Sequence, residues 1–139
     1  MAAAVVALDQ LTKAWVVARL APGESTPLWS PWLYVTHVEN TGAAFGLLRS
    51  HSALLIVVAV AVLAAACIGR RRLAALPPLT RTAVAFGLGG TAGNLIDRLA
   101  RGAVVDFIDV RVWPVFNVAD TAIVAAAGLL IIATVRGTG

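Results

Sequence analysis

Carboxylates are scarce in this chain: 7 of its 139 residues are Asp or Glu, against 11 Lys or Arg, and Lys13 is the single lysine. Cysteine is scarcer. Cys67 alone cannot close an internal disulfide, so the redox compartment is not written here. With no cationic neighbour in the apolar run 53–68 it is a poor nucleophile, and plain packing is its expected role. The two histidines, His37 and His51, lack partners at metal-ligand spacing, which argues against zinc and leaves them as solvated or interfacial side chains. Ser50, His51 and Ser52 are neighbours without the motif context of a triad, and no serine offers itself to Lys13. No basic stretch is interleaved with aromatics outside an apolar context, so nucleic acid is not an expected partner. Neither a metal nor a cofactor is expected.

What the chain has in abundance is apolar surface. It is 60% hydrophobic and 13% charged, where a soluble domain is roughly 45–50% apolar and about 25% charged. Such a chain has too little polar surface to stay dispersed in water, and the bilayer is its expected solvent. Four segments meet the need for roughly 20 mostly apolar residues per spanning helix, at about 2–20, 52–69, 82–99 and 118–135. The expected fold is an all-α integral membrane protein. It has four transmembrane helices, with a small outward-facing β-rich loop region between the first and second, in a single domain over 1–139.

Pro22-Gly23, the Arg70–Arg72 block with Pro77-Pro78, and Pro114 separate the spans. Gly89, Gly90 and Gly93 on the third permit close helix approach. The first segment has no basic leader, and Asp9 and Lys13 interrupt it, so a retained helix is expected rather than a cleaved signal. Only eight residues precede Asp9, which makes this span short at its inner end.

Arg70–Arg72, Arg81 and Arg136 put the 70–81 loop and both termini on the cytoplasmic side by the positive-inside rule. Residues 21–51 and 101–117 then face outward, leaving Arg49, Arg98, Arg101 and Arg111 in need of another role. "LWSPWLYVTHVEN" alternates apolar and polar residues. It reads as short interfacial strands with Trp29, Trp32 and Tyr34 at headgroup level.

Polar side chains recur where they are expensive. An ionised group at a helix centre costs about 2.5–3.5 kcal/mol on insertion scales, so such residues are functional candidates. Asp9 and Lys13 are spaced to pair at i, i+4. Asn94, Asp97 and Arg98 share one face near the outer end of the third span. In the alternative without a site, Arg98 snorkels to the headgroups and Asp97 pairs with Arg101. Asn40 and the stretch "VVDFIDVRVWPVFNVAD" converge on the same outer surface.

That stretch holds Asp106, Asp109 and Asp120, three of the 7 acidic residues. Two carboxylates held about 3 Å apart share one proton, so that one activates water while the other polarises a carbonyl. Asp120 opens the fourth helix, where the dipole favours an anion. Capping explains it equally well, with Asn117 at the N-cap and Asp120 at the third helical position. Spacing leaves Asp106 and Asp109 both open as its partner.

Five motifs in order then resemble one family across essentially the whole chain: "DQLTKAW", "ENTGAAFG", "GGTAGNLIDR", "GAVVDFIDV" and "FNVAD". The sequence resembles lipoprotein signal peptidase (signal peptidase II), a bacterial membrane aspartic peptidase. The resemblance implies a catalytic dyad of Asp106 and Asp120, with Asp109 a bystander. It implies that Asn40, Gly42, Asn94, Arg98 and Asn117 position the substrate backbone and orient the dyad. Asp9, Lys13 and Asp97 are candidate supports. Gly42, Ala43 and Ala44 leave room for a backbone to approach. The implied partner is a diacylglyceryl-modified prolipoprotein, cleaved on the amino side of its lipidated cysteine. The implied setting is the bacterial cytoplasmic membrane, in contact with lipid, as a multi-pass monomer with its site near the outer face. Two rivals remain: a small transporter carrying protons on Asp9, and a non-catalytic membrane assembly protein.

Overall fold

The computed structural model describes residues 1–42 and 52–137. The expectations for Ala43, Ala44, Arg49, Ser50 and His51 lie outside the described residues. Helix α1 covers Ala2–Arg19, α2 Ser52–Ile68, α4 Pro78–Arg101 and α5 Val118–Val135, close to the four expected segments. Two boundaries differ. Pro78 occupies the first turn of α4, where its missing N–H costs nothing, so this helix starts four residues before the expected Thr82. The arginine block is itself helical, as α3 over Arg70–Ala74.

By length and composition, α5 is the one helix among the described residues apolar enough to cross a membrane, and α2 is a shorter apolar helix. In α1 and α4 the buried Asp9, Lys13 and Asp97 interrupt the hydropathy. Asp9, Lys13, Asn94, Asp97 and Asn117 are inside, while Leu54, Val57, Val124 and Ile131 are exposed. Cys67 is exposed as well, not packed in a core. Its helix buries only Ala59, so most of its side chains face outward.

Helix α4 is the hub, packing against α1, α2 and α5. Its glycines allow this. A Cβ on Gly93 would lie 2.5 Å from Asp9 Oδ2, and one on Gly89 would lie 2.7 Å from Val5 Cβ. On Gly90 it would collide with the Ala119 carbonyl oxygen of α5. The opposing face of α5 is built from Ala119, Ala122, Ala126 and Ala133, so small residues meet small residues.

Strands β1 (Ser25–Trp29), β2 (Leu33–Asn40) and β3 (Val104–Asp109) form an antiparallel sheet in that order. The first two are the strands expected after the first helix. The third is a correction, since strands were expected only between the first and second helices and β3 lies in the outward-facing stretch 101–117. Gly102, at φ 76°, closes α4 in the left-handed conformation and turns the chain into β3. Asp106 then pairs with Val38, and Val104 with Asn40.

Beyond β3 the chain folds back. The N–H groups of Phe107 and Ile108 both donate to the Phe116 carbonyl, at 3.0 and 2.7 Å, which delivers Asn117 beside the strand. Val16, Leu20, Val35, Val105 and Phe107 form the core between α1 and the sheet. His37 joins this interior, correcting the expectation of a solvated ring. It is 2% exposed, and Nδ1 donates to the Leu20 carbonyl at 2.8 Å.

Tight helix approach makes a direct prediction. Gly93→Val overpacks the α1–α4 contact and costs about 1–3 kcal/mol, read as a lower thermal midpoint in detergent. A Cβ added at Gly128 would meet nothing within 4 Å, so Gly128→Ala raises stability by about 0.5–1 kcal/mol.

Candidate active site

Asn117 is the N-cap of α5, and its Oδ1 accepts the Asp120 N–H at 2.8 Å. That is the capping geometry read from "NVAD". The same side chain turns its Nδ2 to Asp106 Oδ1 at 2.6 Å. The cap and the site are therefore one residue, and the two aspartates flank it. Asp106 receives a second amide on its other oxygen, from Asn40 Nδ2 at 2.9 Å. Asn40 is itself oriented, because its Oδ1 accepts the Gly42 N–H at 3.0 Å. Asp120 Oδ1 accepts Asn94 Nδ2 at 2.8 Å. The three asparagines thus come from β2, α4 and the start of α5, and each donates to a carboxylate.

Behind them lies a buried charge cluster. The Lys13 ammonium donates to Asp9 Oδ2 at 2.9 Å and to Asp97 Oδ2 at 2.8 Å. Its third proton goes to Asn94 Oδ1 at 3.0 Å. Asp9 Oδ1 accepts the Ala119 N–H at 2.9 Å, so a side chain of α1 caps α5. Asp97 Oδ2 accepts the Val105 N–H at 3.1 Å and ties α4 to β3. The expected Asp9–Lys13 pair is present. The alternative pairing of Asp97 with Arg101 is not the one formed; Lys13 is the partner of Asp97. A proton carrier at Asp9 finds both its oxygens already engaged.

Arg98 does not reach away to headgroups. Its Nη1 and Nη2 make long contacts, 3.4 Å each, to the carbonyls of Asn94 and Gly42. Its Nε is buried without a hydrogen-bond partner among the described residues. The charges of Asp120, Asp106 and Asp97 all act on this guanidinium.

Asp109 stands apart on the sheet. It accepts Thr36 Oγ1 at 2.7 Å and the Arg111 N–H at 2.9 Å. The Arg111 guanidinium lies 3.5 Å over the Tyr34 ring. Burial pushes Asp109 up, but the Thr36 hydroxyl, the Arg111 N–H and the Arg111 charge together hold it below the usual carboxylate value. Asp106 behaves oppositely. Burial raises it to about 6, with the Asp120 charge adding to the rise and the Asn40 and Asn117 amides and the Lys13 charge opposing it.

Sequence reasoning missed Gln10. Its Nε2 lies 3.1 Å from Asp9 Oδ2, 3.2 Å from the Gly93 carbonyl and 3.1 Å from Asp97 Oδ1. A further polar residue in an apolar helix, adjacent to Asp9, was the available signal. The Phe116 carbonyl was also missed, since a backbone acceptor leaves no trace in the sequence.

Comparison with known proteins gives a consistent result. The family described as signal peptidase (SPase) II matches residues 1–136. The lipoprotein signal peptidase of Pelotomaculum thermopropionicum is 45% identical over 92% of this chain and 84% of its own length. That of Syntrophomonas wolfei is 48% identical over 92% and 85%. A solved bacterial membrane enzyme superposes with a TM-score of 0.86 at 29% identity, covering 99% of this chain and 87% of that one.

The charge cluster carries its own test. Asp97→Ala leaves a buried ammonium short of a counter-charge and frees the Val105 N–H. A loss on the order of 3–5 kcal/mol is expected, seen as unfolding at markedly lower temperature in detergent.

Proposed function

The chain belongs to the signal peptidase II family, and on that premise we propose that it removes signal peptides from diacylglyceryl-modified prolipoproteins by aspartic catalysis at Asp106 and Asp120. One observation carries the choice of dyad. Asn117 Nδ2 donates to Asp106 Oδ1 and to Asn94 Oδ1, and Asn94 Nδ2 donates to Asp120 Oδ1, so two neutral amides link these two carboxylates.

In the reactive form the pair carries one proton: Asp106, with an amide on each oxygen, is ionised and Asp120 is protonated. In the first step Asp106 takes a proton from water, whose oxygen bonds to the scissile carbonyl carbon. Asp120 gives its proton to the carbonyl oxygen, and a neutral gem-diol results. In the second step Asp106 protonates the amide nitrogen and the carbon–nitrogen bond breaks. A diol proton returns to Asp120. The products are the signal peptide with a new carboxyl group and the lipidated cysteine with a free amine. Arg98 and the Asn40–Gly42 turn face this centre, and their role is to hold the substrate backbone.

The protein works as one multi-pass domain over 1–139 and as a monomer in the bacterial cytoplasmic membrane. Helices α1, α2, α4 and α5 span it, and both termini are cytoplasmic. Exposed apolar side chains on α2 and α5 support immersion in lipid. Arg70–Arg72, Arg81 and Arg136 support the orientation. The dyad then lies near the outer face, where a lipid-anchored substrate presents its scissile bond. Trp29 and Trp32, 71% and 67% exposed, are suited to the headgroup layer beside it.

Asp106→Asn and Asp120→Asn keep shape but cannot cycle a proton. Each is expected to lower processing of a diacylglyceryl prolipoprotein by about 10²–10⁴-fold or more, and full processing by either folded variant sinks the dyad.

The pH profile is a second check. With Asp106 near 6, kcat/KM falls as pH drops through about 6. Asn40→Ala removes a donor that favours the ionised form, so this limb moves to higher pH. Stability runs the other way. Asp106 binds its proton more tightly folded than unfolded, so stability rises as pH falls from about 6 towards the ordinary carboxylate value near 4. Asp106→Asn flattens that rise.

A further inference from the structure

Asn94 holds Asp120, and its own amide must be held in turn. An asparagine side chain is nearly symmetric in shape, and its two ends differ only in what they accept or donate. Here the oxygen end meets two donors, Lys13 Nζ at 3.0 Å and Asn117 Nδ2 at 3.2 Å. The nitrogen end meets only an acceptor, Asp120 Oδ1. A flipped amide would point N–H groups at an ammonium and oxygen at a carboxylate.

Lys13 makes this choice firm because it has donors only and is fully buried. All three of its protons are placed, and two of their acceptors, Asp9 and Asp97, are themselves anchored to α5 and β3. The ammonium therefore cannot follow Asn94 if that side chain turns. From this geometry we propose that Lys13 is a positioning residue for the dyad. It fixes the Asn94 amide, and through Asn94 and Asn117 it sets where Asp120 and Asp106 present their oxygens. This rests on the dyad reading above. It differs from a purely structural account, in which Lys13 only neutralises Asp9 and Asp97 so that α1 can pack.

The two accounts part in a double variant. Lys13→Met alone removes the pin and strands two buried carboxylates, so it loses both stability and activity. Asp9→Asn/Lys13→Met relieves part of that burden. Asn at position 9 keeps an oxygen to cap the Ala119 N–H, and Asp97 keeps the Val105 and Gln10 donors. Thermal unfolding and steady-state kinetics on a diacylglyceryl prolipoprotein are measured for wild type and both variants in the same detergent. Because misplacement by about 1 Å can cost 10²-fold in rate, the double variant is expected to recover most of the lost thermal midpoint. Its kcat should stay down about 10²-fold and its KM within about 3-fold of wild type. Recovery of kcat together with stability overturns the proposal, as does a loss carried by KM alone. If Lys13→Met does not fold, the double variant decides by itself. Wild type that does not cleave at all overturns the peptidase reading instead, a separate result.

Discussion

A single ammonium, shut away from water, organises this molecule. Lys13 has no solvent to hydrate it, so each of its three protons must find an oxygen, and those oxygens come from α1 and α4. Their owners in turn hold the first turn of α5 and the backbone of β3. Stranding such a charge costs several kcal/mol, which makes the arrangement all-or-none. The elements that carry the site are consequently placed relative to one another by electrostatics. The close packing of Gly89, Gly90 and Gly93 then brings the helices near enough for those bonds to form.

The site itself shows how orientation can be separated from charge. At Asp109 burial is outweighed by the Thr36 hydroxyl, the Arg111 N–H and then the Arg111 charge, which together hold the carboxyl below the ordinary range. Asp106 is held by two neutral amides, which fix its oxygens and oppose the rise without cancelling it, so that burial still lifts it to about 6. Arginine in place of Asn40 or Asn117 would fix the oxygens too, but would keep the carboxylate ionised far below neutral pH. An amide partner therefore suits the proton-cycling role proposed for Asp106 better than a guanidinium would. Asparagines delivered from three elements are thus intelligible as a chemical choice.

Much of this could be read in the amino-acid order, for identifiable reasons. Helices declare themselves by apolar runs between Pro, Gly and Arg, and four such runs stand close to α1, α2, α4 and α5. Asp9 and Lys13 could be paired from spacing because a helix brings i and i+4 together whatever surrounds it. The partner of Asp97 could not, because spacing offered Arg101 while Lys13 arrives from another helix. The strand at 104–109 was hidden for a related reason. Val, Asp, Phe and Ile in "VVDFID" are buried on both faces, so the alternation that marks a half-exposed strand is missing. His37 was misjudged because its partner is the Leu20 carbonyl, which no side-chain pattern reveals. Spacing alone left Asp106 and Asp109 equivalent; only the fold-back at Phe116, carrying Asn117 to β3, separates them geometrically.

The long reach of Lys13 has a bearing on how the chain is made. When α1 leaves the ribosome its ammonium has only Asp9 beside it; Asn94 lies 81 residues further on. Until α4 is made, the ammonium has one of its three acceptors, and Asp9 alone must satisfy it. Arrival of α4 supplies the missing acceptors, and the last helix then finds its capping carboxylate already in position. Completion of the cluster, and with it the placing of α5 and β3, therefore waits on α4.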